Sequence, residues 1–421
     1  MTLWTRGRAP RCRFAFLIGV AIWGFDPGEA QAQPLSVVDS AGVSIVTSDP
    51  FSSDRRCTVG DEPRFSVGDA LGDERYEFYS LRGMARLSDG SVAVIDRRDQ
   101  RVRIFSEAGE FLRSMGGRGE GPGEFRNPWY LWALPGDTLW VGDYRPQRFN
   151  VFSPDGEFVR VVRLDPVYPN PSRGGGVLSN GTSINLRLDR ENETDFKTPQ
   201  TLFVEAHGPD GGLSGPRLTV AGRRFGSVES APNFSFGPLF DAGSSVDAEG
   251  TTVAVTTGRD PEVRVLDEQF RLHRIIRWTD EDREVTRADV RAWREEYARQ
   301  QRDRNLGDFA ATRRPQTAAL LSDERPVADL FPAAASVSVG RDGRIWVRRY
   351  PRPRETTGWL VFEPEGAFLC HLDPLPELQI YEFGVDYILG SRRDVLDIES
   401  IVMYELIAPD PPRQNSARGA R

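Results

Sequence analysis

Two stretches of the chain follow one plan. MARLSDGSVAVIDRRDQRVRIFSEAGEFLRSMG at 84–116 and LWALPGDTLWVGDYRPQRFNVFSPDGEFVRVVR at 131–163 each begin with an apolar strand, a Gly/Asp turn and an alternating strand ending in Asp. A polar connection, another alternating strand, a second turn with Gly and a fourth strand follow in both. Internal self-similarity of this kind constrains the fold more than any single motif. Weaker copies are GGGVLSNGTSINLRL with TLFVEAHGPDGGLSGPRLTV, then SSVDAEGTTVAVTTGRDPEVRVLDEQFRLHRIIRW, then SVSVGRDGRIWVRRY with GWLVFEPEGAFLCHLD. What is left is LQIYEFGVDYILGSRR and DIESIVMYELI toward the C-terminal end, and GVSIVTS and PRFSVG toward the N-terminal end. These make one further unit only if both chain ends share it, which leaves no sheet edge exposed.

Four antiparallel strands in roughly 35 to 50 residues is the size of one propeller blade. The expected class is therefore all-β: a six-bladed β-propeller over 34–407, its last blade closed by both chain ends. The 41 Gly and 30 Pro, gathered in short recurring clusters, suit such a turn-rich architecture, and 421 residues at 39% hydrophobic are ample for a large core. GRGEGPGEFRNP, the SDG turn, VAVID, RVRIF and EAGEF resemble the NHL-type six-bladed β-propellers, and the final segment resembles bacterial exported propellers of that group. The resemblance implies a protein that binds RNA, proteins or small molecules, with lyases and lactonases among its relatives. Fold alone does not choose among them.

One segment breaks the plan. Residues 279–334 fall between the fourth strand of blade four and the first of blade five, and include VTRADVRAWREEYARQQ, with Thr286 as N-cap and Val290, Trp293 and Tyr297 on one face. A helical insertion is expected here, either over one mouth of the central channel or along the rim.

The N-terminus reads as an export signal over 1–32. Arg6, Arg8, Arg11 and Arg13 precede an apolar stretch from Phe14 to Phe25, and Ala30-Gln31-Ala32 offers small residues for cleavage. Removing those four arginines with Asp26 and Glu29 takes the net charge from −8 to −10. An acidic mature protein argues against general nucleic-acid binding. The expected product is an exported, periplasmic or secreted, monomeric protein without stable membrane insertion, ending in a disordered tail at 408–421. Cys57 and Cys370 would then sit in an oxidising compartment, either paired or as two separate buried side chains.

Chemistry is sparse. Among three histidines, His207 precedes a Gly-Pro-Asp-Gly turn, and His273 and His371 fall in outer strands, so convergence on one metal is not expected. No ring of carboxylates for calcium and no Gly-x-Ser-x-Gly elbow is found. Neither a catalytic set, a metal nor a cofactor is assigned. Asp96 with Arg101, and Asp143 with Arg148, occupy matching positions and read as structural ion pairs spanning a hairpin. The second-to-third connections carry many arginines on what should be one face, and guanidinium groups suit carboxylates and phosphates. Because Lys197 is the only lysine, arginine supplies positive charge everywhere in the chain, which is the bland explanation of the same pattern. The expected ligand-binding residues are Arg98, Arg145, Arg259 and Arg349, with Trp129 and Tyr130 as an aromatic platform, and the expected ligand is an anionic small molecule or protein partner. The alternatives are a metal-dependent, lactonase-like hydrolase or lyase with its site in the channel, and a structural module with no small-molecule site. GGRGEGPGEFRNP at 116–128 lacks the Lys-Ser/Thr ending of a phosphate loop and reads as a joint between blades, with Phe125 anchored in the core.

Overall fold

The computed structural model describes residues 36–68, 72–168, 173–189, 195–303 and 310–409. The expected leader at 1–32, and the expected tail at 408–421 beyond its first two residues, lie outside the described residues.

Strands β1 (Ser36–Ser40), β2 (Val43–Ser48) and β3 (Arg56–Val67) precede the first repeat. That repeat folds as an antiparallel sheet of β4 (Leu81–Arg86), β5 (Val92–Asp96), β6 (Arg101–Phe105) and β7 (Phe111–Gly116). The second gives β8 (Pro128–Leu134), β9 (Thr138–Asp143), β10 (Arg148–Phe152) and β11 (Phe158–Arg163). Next come β12 (Arg173–Val177), β13 (Ser183–Leu188), β14 (Asp195–His207) and β15 (Leu213–Val228), extended by β16 (Ala231–Phe236). They are followed by β17 (Ser245–Glu249), β18 (Thr252–Thr256), β19 (Glu262–Asp267) and β20 (Leu272–Trp278). After the helical segment come β21 (Ala334–Val339), β22 (Ile345–Arg349), β23 (Trp359–Phe362) and β24 (Phe368–Leu372). The last strands are β25 (Leu378–Phe383), β26 (Tyr387–Arg393) and β27 (Glu399–Ile407).

β5 and β10 are buried along their whole length and not only at alternate residues. Both faces of these sheets are covered, so the apolar core is divided into slabs between neighbours. One slab joins Ile95, Ile104 and Phe125 to Leu139 and Phe152, and another joins Ile184 and Val204 to Val253 and Leu266. A third brings Leu389, Ile401 and Met403, near the end of the chain, against Leu81, Val92 and Phe105 of the first repeat.

The chain ends meet through β3. It pairs antiparallel with β27 from Val67 opposite Ile401 to Thr58 opposite Ile407, and touches β24 in parallel at Cys57 and Leu372. Cys57 and Cys370 form a disulfide, with Cα atoms 5.5 Å apart. The other N-terminal segment needs a correction. GVSIVTS does not join the last unit; as β2 it runs parallel to β20, from Ser44 beside Arg274 to Ser48 beside Trp278. β20 would otherwise present an unpaired edge, and β2 covers it while placing Val46, 2% exposed, next to buried Ile276.

Helices α1 (Arg287–Asp303) and α2 (Ala310–Leu321) lie within 279–334. Thr286 Oγ1 accepts the Asp289 N–H, and the Asp289 carboxylate accepts the Thr286 N–H at 2.9 Å, a reciprocal cap. Val290 and Trp293 pack with Leu239, Phe240 and Phe331, and Trp293 stacks on Tyr297 at 5.0 Å. Ala319 of α2 packs with Val228, Ala231 and Phe236, so α2 and the additional strand β16 bury each other's apolar faces.

Candidate functional site

The first strand of each sheet lies beside the first strand of the next. The Val337 N–H donates to Ser245 Oγ at 3.2 Å and the Val339 N–H to Asp247 Oδ2 at 2.8 Å, linking β21 to β17. The Arg341 N–H donates to Phe383 O at 2.9 Å, and the Tyr381 hydroxyl of β25 donates to Leu81 O of β4 at 3.0 Å. β12 bridges β17 at Gly176 and Ala248. Contact between β4 and β8 depends on Gly83, where a Cβ would fall 2.7 Å from the Leu131 nitrogen. Between these strands is a cavity of about 170 Å³ walled by Met84, Trp132, Asp247, Ser338, Tyr381 and Glu382, among others.

Arg341 closes the end of this cavity where the first strands finish. Its Nη1 donates to Ala133 O at 2.7 Å and Glu249 Oε1 at 2.8 Å, its Nη2 to Arg86 O at 3.1 Å, and its Nε lies 3.5 Å from Glu382 Oε2. One side chain thus ties β4, β8, β17 and β25 to the turn after β21. Burial works against its charge, but the fields of Glu382 and Glu249 outweigh burial and hold the guanidinium above its ordinary pKa. Burial pushes the Glu382 carboxyl upward against the pull of Arg341, and the Tyr387 hydroxyl donates to it.

Asp247 stands on the cavity wall one strand turn above Glu249. Burial pushes its carboxyl up to about 7, against the lowering effect of the Val339 N–H, and the field of Glu249 adds to the rise. Arg341 lines the same cavity, but among the described residues no arginine is in ion-pair range of Asp247. The sequence carries a trace of this pair: in SVDAE, acids at alternate positions of an inner strand must share the face turned to the axis. Sequence reasoning that looked only at the starting ends of the first strands missed Asp247, Glu249, Arg341 and Glu382.

At the starting ends, the guanidinium groups of Arg82 and Arg97 lie 5.0 and 4.9 Å from the ring centroid of Trp129. Arg82 donates to Leu81 O and leaves its buried Nε unpartnered, while Arg97 donates to Asn127 Oδ1. Neither has a carboxylate in ion-pair range among the described residues. Tyr130 stacks on Trp132 at 5.5 Å, continuing the aromatic wall down toward the cavity.

The other expected site residues are dispersed. Arg98 covers the Tyr79 ring at 3.9 Å, and Arg145 is exposed on the β9–β10 turn. Arg349 lies over Phe51 at 4.9 Å, its pKa lowered by burial against the field of Asp280. Exposed Arg259 offers its carbonyl to Arg283. Arg82 and Arg97 gather at Trp129, and Arg349 and Arg352 around Asp280, where Arg352 sits 3.3 Å from the carboxylate; Arg98 and Arg145 join neither group.

The two matching Asp–Arg pairs differ. Arg148 lies 3.2 Å from Asp143 with both side chains buried, and its Nη1 and Nη2 donate to Glu120 O and Glu124 O at 3.0 and 2.8 Å. The glycine-rich loop at 116–128 therefore cradles an arginine with its carbonyls, and Phe125 is fully buried beneath it. In the first repeat, Arg101 opposes Asp96 in register but is exposed; the cation that reaches Asp96 is Arg103, at 3.8 Å, two residues on and on the same face. Among the described residues no group of three or more His, Cys, Asp or Glu stands together as a metal-holding cluster, and no helix is long and apolar enough to cross a membrane.

A model of the DUF5128 family, described as a 6-bladed beta-propeller, matches residues 83–132. No curated protein matches the sequence. Similar solved structures include a candidate exported protein from Bacteroides fragilis, at 11% identity over 87% of this chain and 99% of that one, with a TM-score of 0.47. A gluconolactonase from Xanthomonas campestris is 12% identical over 90% of this chain and 98% of its own, with a TM-score of 0.40. The calcium-binding protein regucalcin from Agrobacterium tumefaciens is 10% identical over 80% and 95%, with a TM-score of 0.37. The chain is an all-β protein of β-propeller type.

Proposed function

We propose that this protein is an exported, monomeric six-bladed β-propeller that binds an anionic ligand or partner group at the starting ends of its first strands. Six blades follow if the sheets beginning at β4, β8, β12, β17, β21 and β25 each count as one, with β3 completing the last. Export is supported by the leader pattern at 1–32 and by the Cys57–Cys370 disulfide, a bond that persists in oxidising compartments.

The observation that carries the binding reading is the pair Arg82 and Arg97 on Trp129, two guanidinium groups without a carboxylate partner among the described residues, beside a polar cavity. An anion there gains charge-assisted hydrogen bonds that need not displace an internal ion pair. The test is thermal denaturation of residues 33–421 with acetate, succinate or inorganic phosphate. At least one anion should stabilise the wild type and leave Arg82→Ala/Arg97→Ala unmoved, whereas Arg98→Ala/Arg145→Ala/Arg349→Ala should keep the response. No stabilisation, or an unaffected Arg82/Arg97 variant, overturns the reading.

A hydrolase or lyase with its site in the channel is the second reading. It is favoured by Asp247, because a carboxyl near neutrality is what general acid–base chemistry uses.

A further inference from the structure

The cavity below Trp129 holds a charge that the anion reading does not use. Asp247 is enclosed between β17 and β21, accepts one backbone N–H from Val339, and faces Glu249 on its own strand and Glu382 across the cavity. The cation nearest these acids, Arg341, is spent: its donors go to Ala133 O, Arg86 O and Glu249, with Glu382 beside its Nε. Arg86, the other neighbouring cation, lies over the Tyr387 ring at 5.0 Å and pairs outward with Glu107. Glu249 and Glu382 therefore share one partly buried guanidinium, and Asp247 has no ion-pair partner among the described residues. The rest of the cavity wall sets Trp132, Tyr381 and Ser338 among aliphatic side chains such as Met84, Leu131 and Ile380. Carboxylate with aromatic faces is the lining that recognises an ammonium group.

Above the cavity the charge reverses. Arg82 and the Tyr381 hydroxyl both donate to Leu81 O, and Tyr381 lines the cavity, so the guanidinium end of the site adjoins the cavity at the starting end of β4. We propose that the site takes a zwitterionic ligand, with a protonated primary amine seated in the cavity on Asp247 and an acidic group several bonds away held by Arg82 and Arg97 at Trp129. This rests on the anion reading above and specifies the other half of the ligand. About 170 Å³ accommodates an aminoalkyl group of a few carbons but not a nucleobase with its ribose.

Binding should also carry a proton signature. Empty, Asp247 holds a proton up to about pH 7; an ammonium favours the ionised form. Affinity for the amine should then fall about tenfold for each pH unit below 7.

Isothermal titration of residues 33–421 with ω-amino carboxylates from glycine to 6-aminohexanoate tests this, with acetate, hexanoate and butylamine as single-charge controls. The inference expects one intermediate chain length to bind at least tenfold more tightly than either control. Asp247→Asn should abolish that advantage and its pH dependence while leaving affinity for hexanoate unchanged, and calorimetry of the variant confirms its folding. Equal affinity for amino carboxylates and simple carboxylates, with Arg82→Ala still reducing both, overturns the inference and spares the anion reading. No binding by either class overturns both.

Discussion

Arg341 shows how one residue settles the character of the channel. A cation fixed at the finishing ends of the first strands, with backbone carbonyls on two sides and acids on two others, acts as a pin and not as a ligand hook. Arg341→Met should lower stability by about 1–3 kcal/mol in urea unfolding, because the half-buried Glu249 and Glu382 lose the cation between them. Asp247 behaves oppositely. Its carboxyl is held up to about 7 in the folded chain against an ordinary value of 3.8, so between about pH 4 and 7 the folded state keeps a proton that the unfolded chain has released. Its stabilising contribution is complete below about pH 4 and is lost as pH rises to 7. Asp247→Asn should therefore match the wild type in calorimetry near pH 4 and exceed it at pH 8, by no more than about 4 kcal/mol.

At the scale of elements, the strand repeat was legible because turn chemistry and alternation recur at fixed spacing, and the helix after Thr286 because its cap and apolar face are local signals. Partner choice among strands was not local and was missed in part: VSIVTS fits any open edge, and only the folded chain shows β20 as the edge it covers. The Asp96 ion pair failed for a related reason. Register placed Arg101 opposite Asp96, but Arg103, two residues on, lies on the same face and is long enough to reach it. The inner carboxylates were within reach of sequence reasoning, since strand periodicity alone puts Asp247 and Glu249 on one face. Which arginines would gather at Trp129 was not, because a chain with one lysine carries arginine on every surface. The disulfide is an element-scale device. β3 meets β24 in register only at two residue pairs, so Cys57–Cys370 is what holds that junction. Cys57→Ser/Cys370→Ser should cost about 2–5 kcal/mol, read as a fall in thermal midpoint that reducing agent reproduces in the wild type.

Across the molecule, the division of the core into slabs between neighbouring sheets explains how a channel can stay polar inside a protein of this size. Apolar burial is completed between blades, so the axis is free to hold carboxylates, hydroxyls and one guanidinium. The route of the N-terminal strands adds a consequence for biosynthesis. β2 and β3 find their partners in β20, β24 and β27, and the disulfide joins residues 313 apart in sequence. A chain made from its N-terminus leaves one edge of β2 open until β20 is made, and both partners of β3 missing until residues 368–407 are synthesised. Closure of the fold therefore waits for β24 and β27, and a chain carried across a membrane unfolded would meet its closing partners and its oxidant in the same compartment.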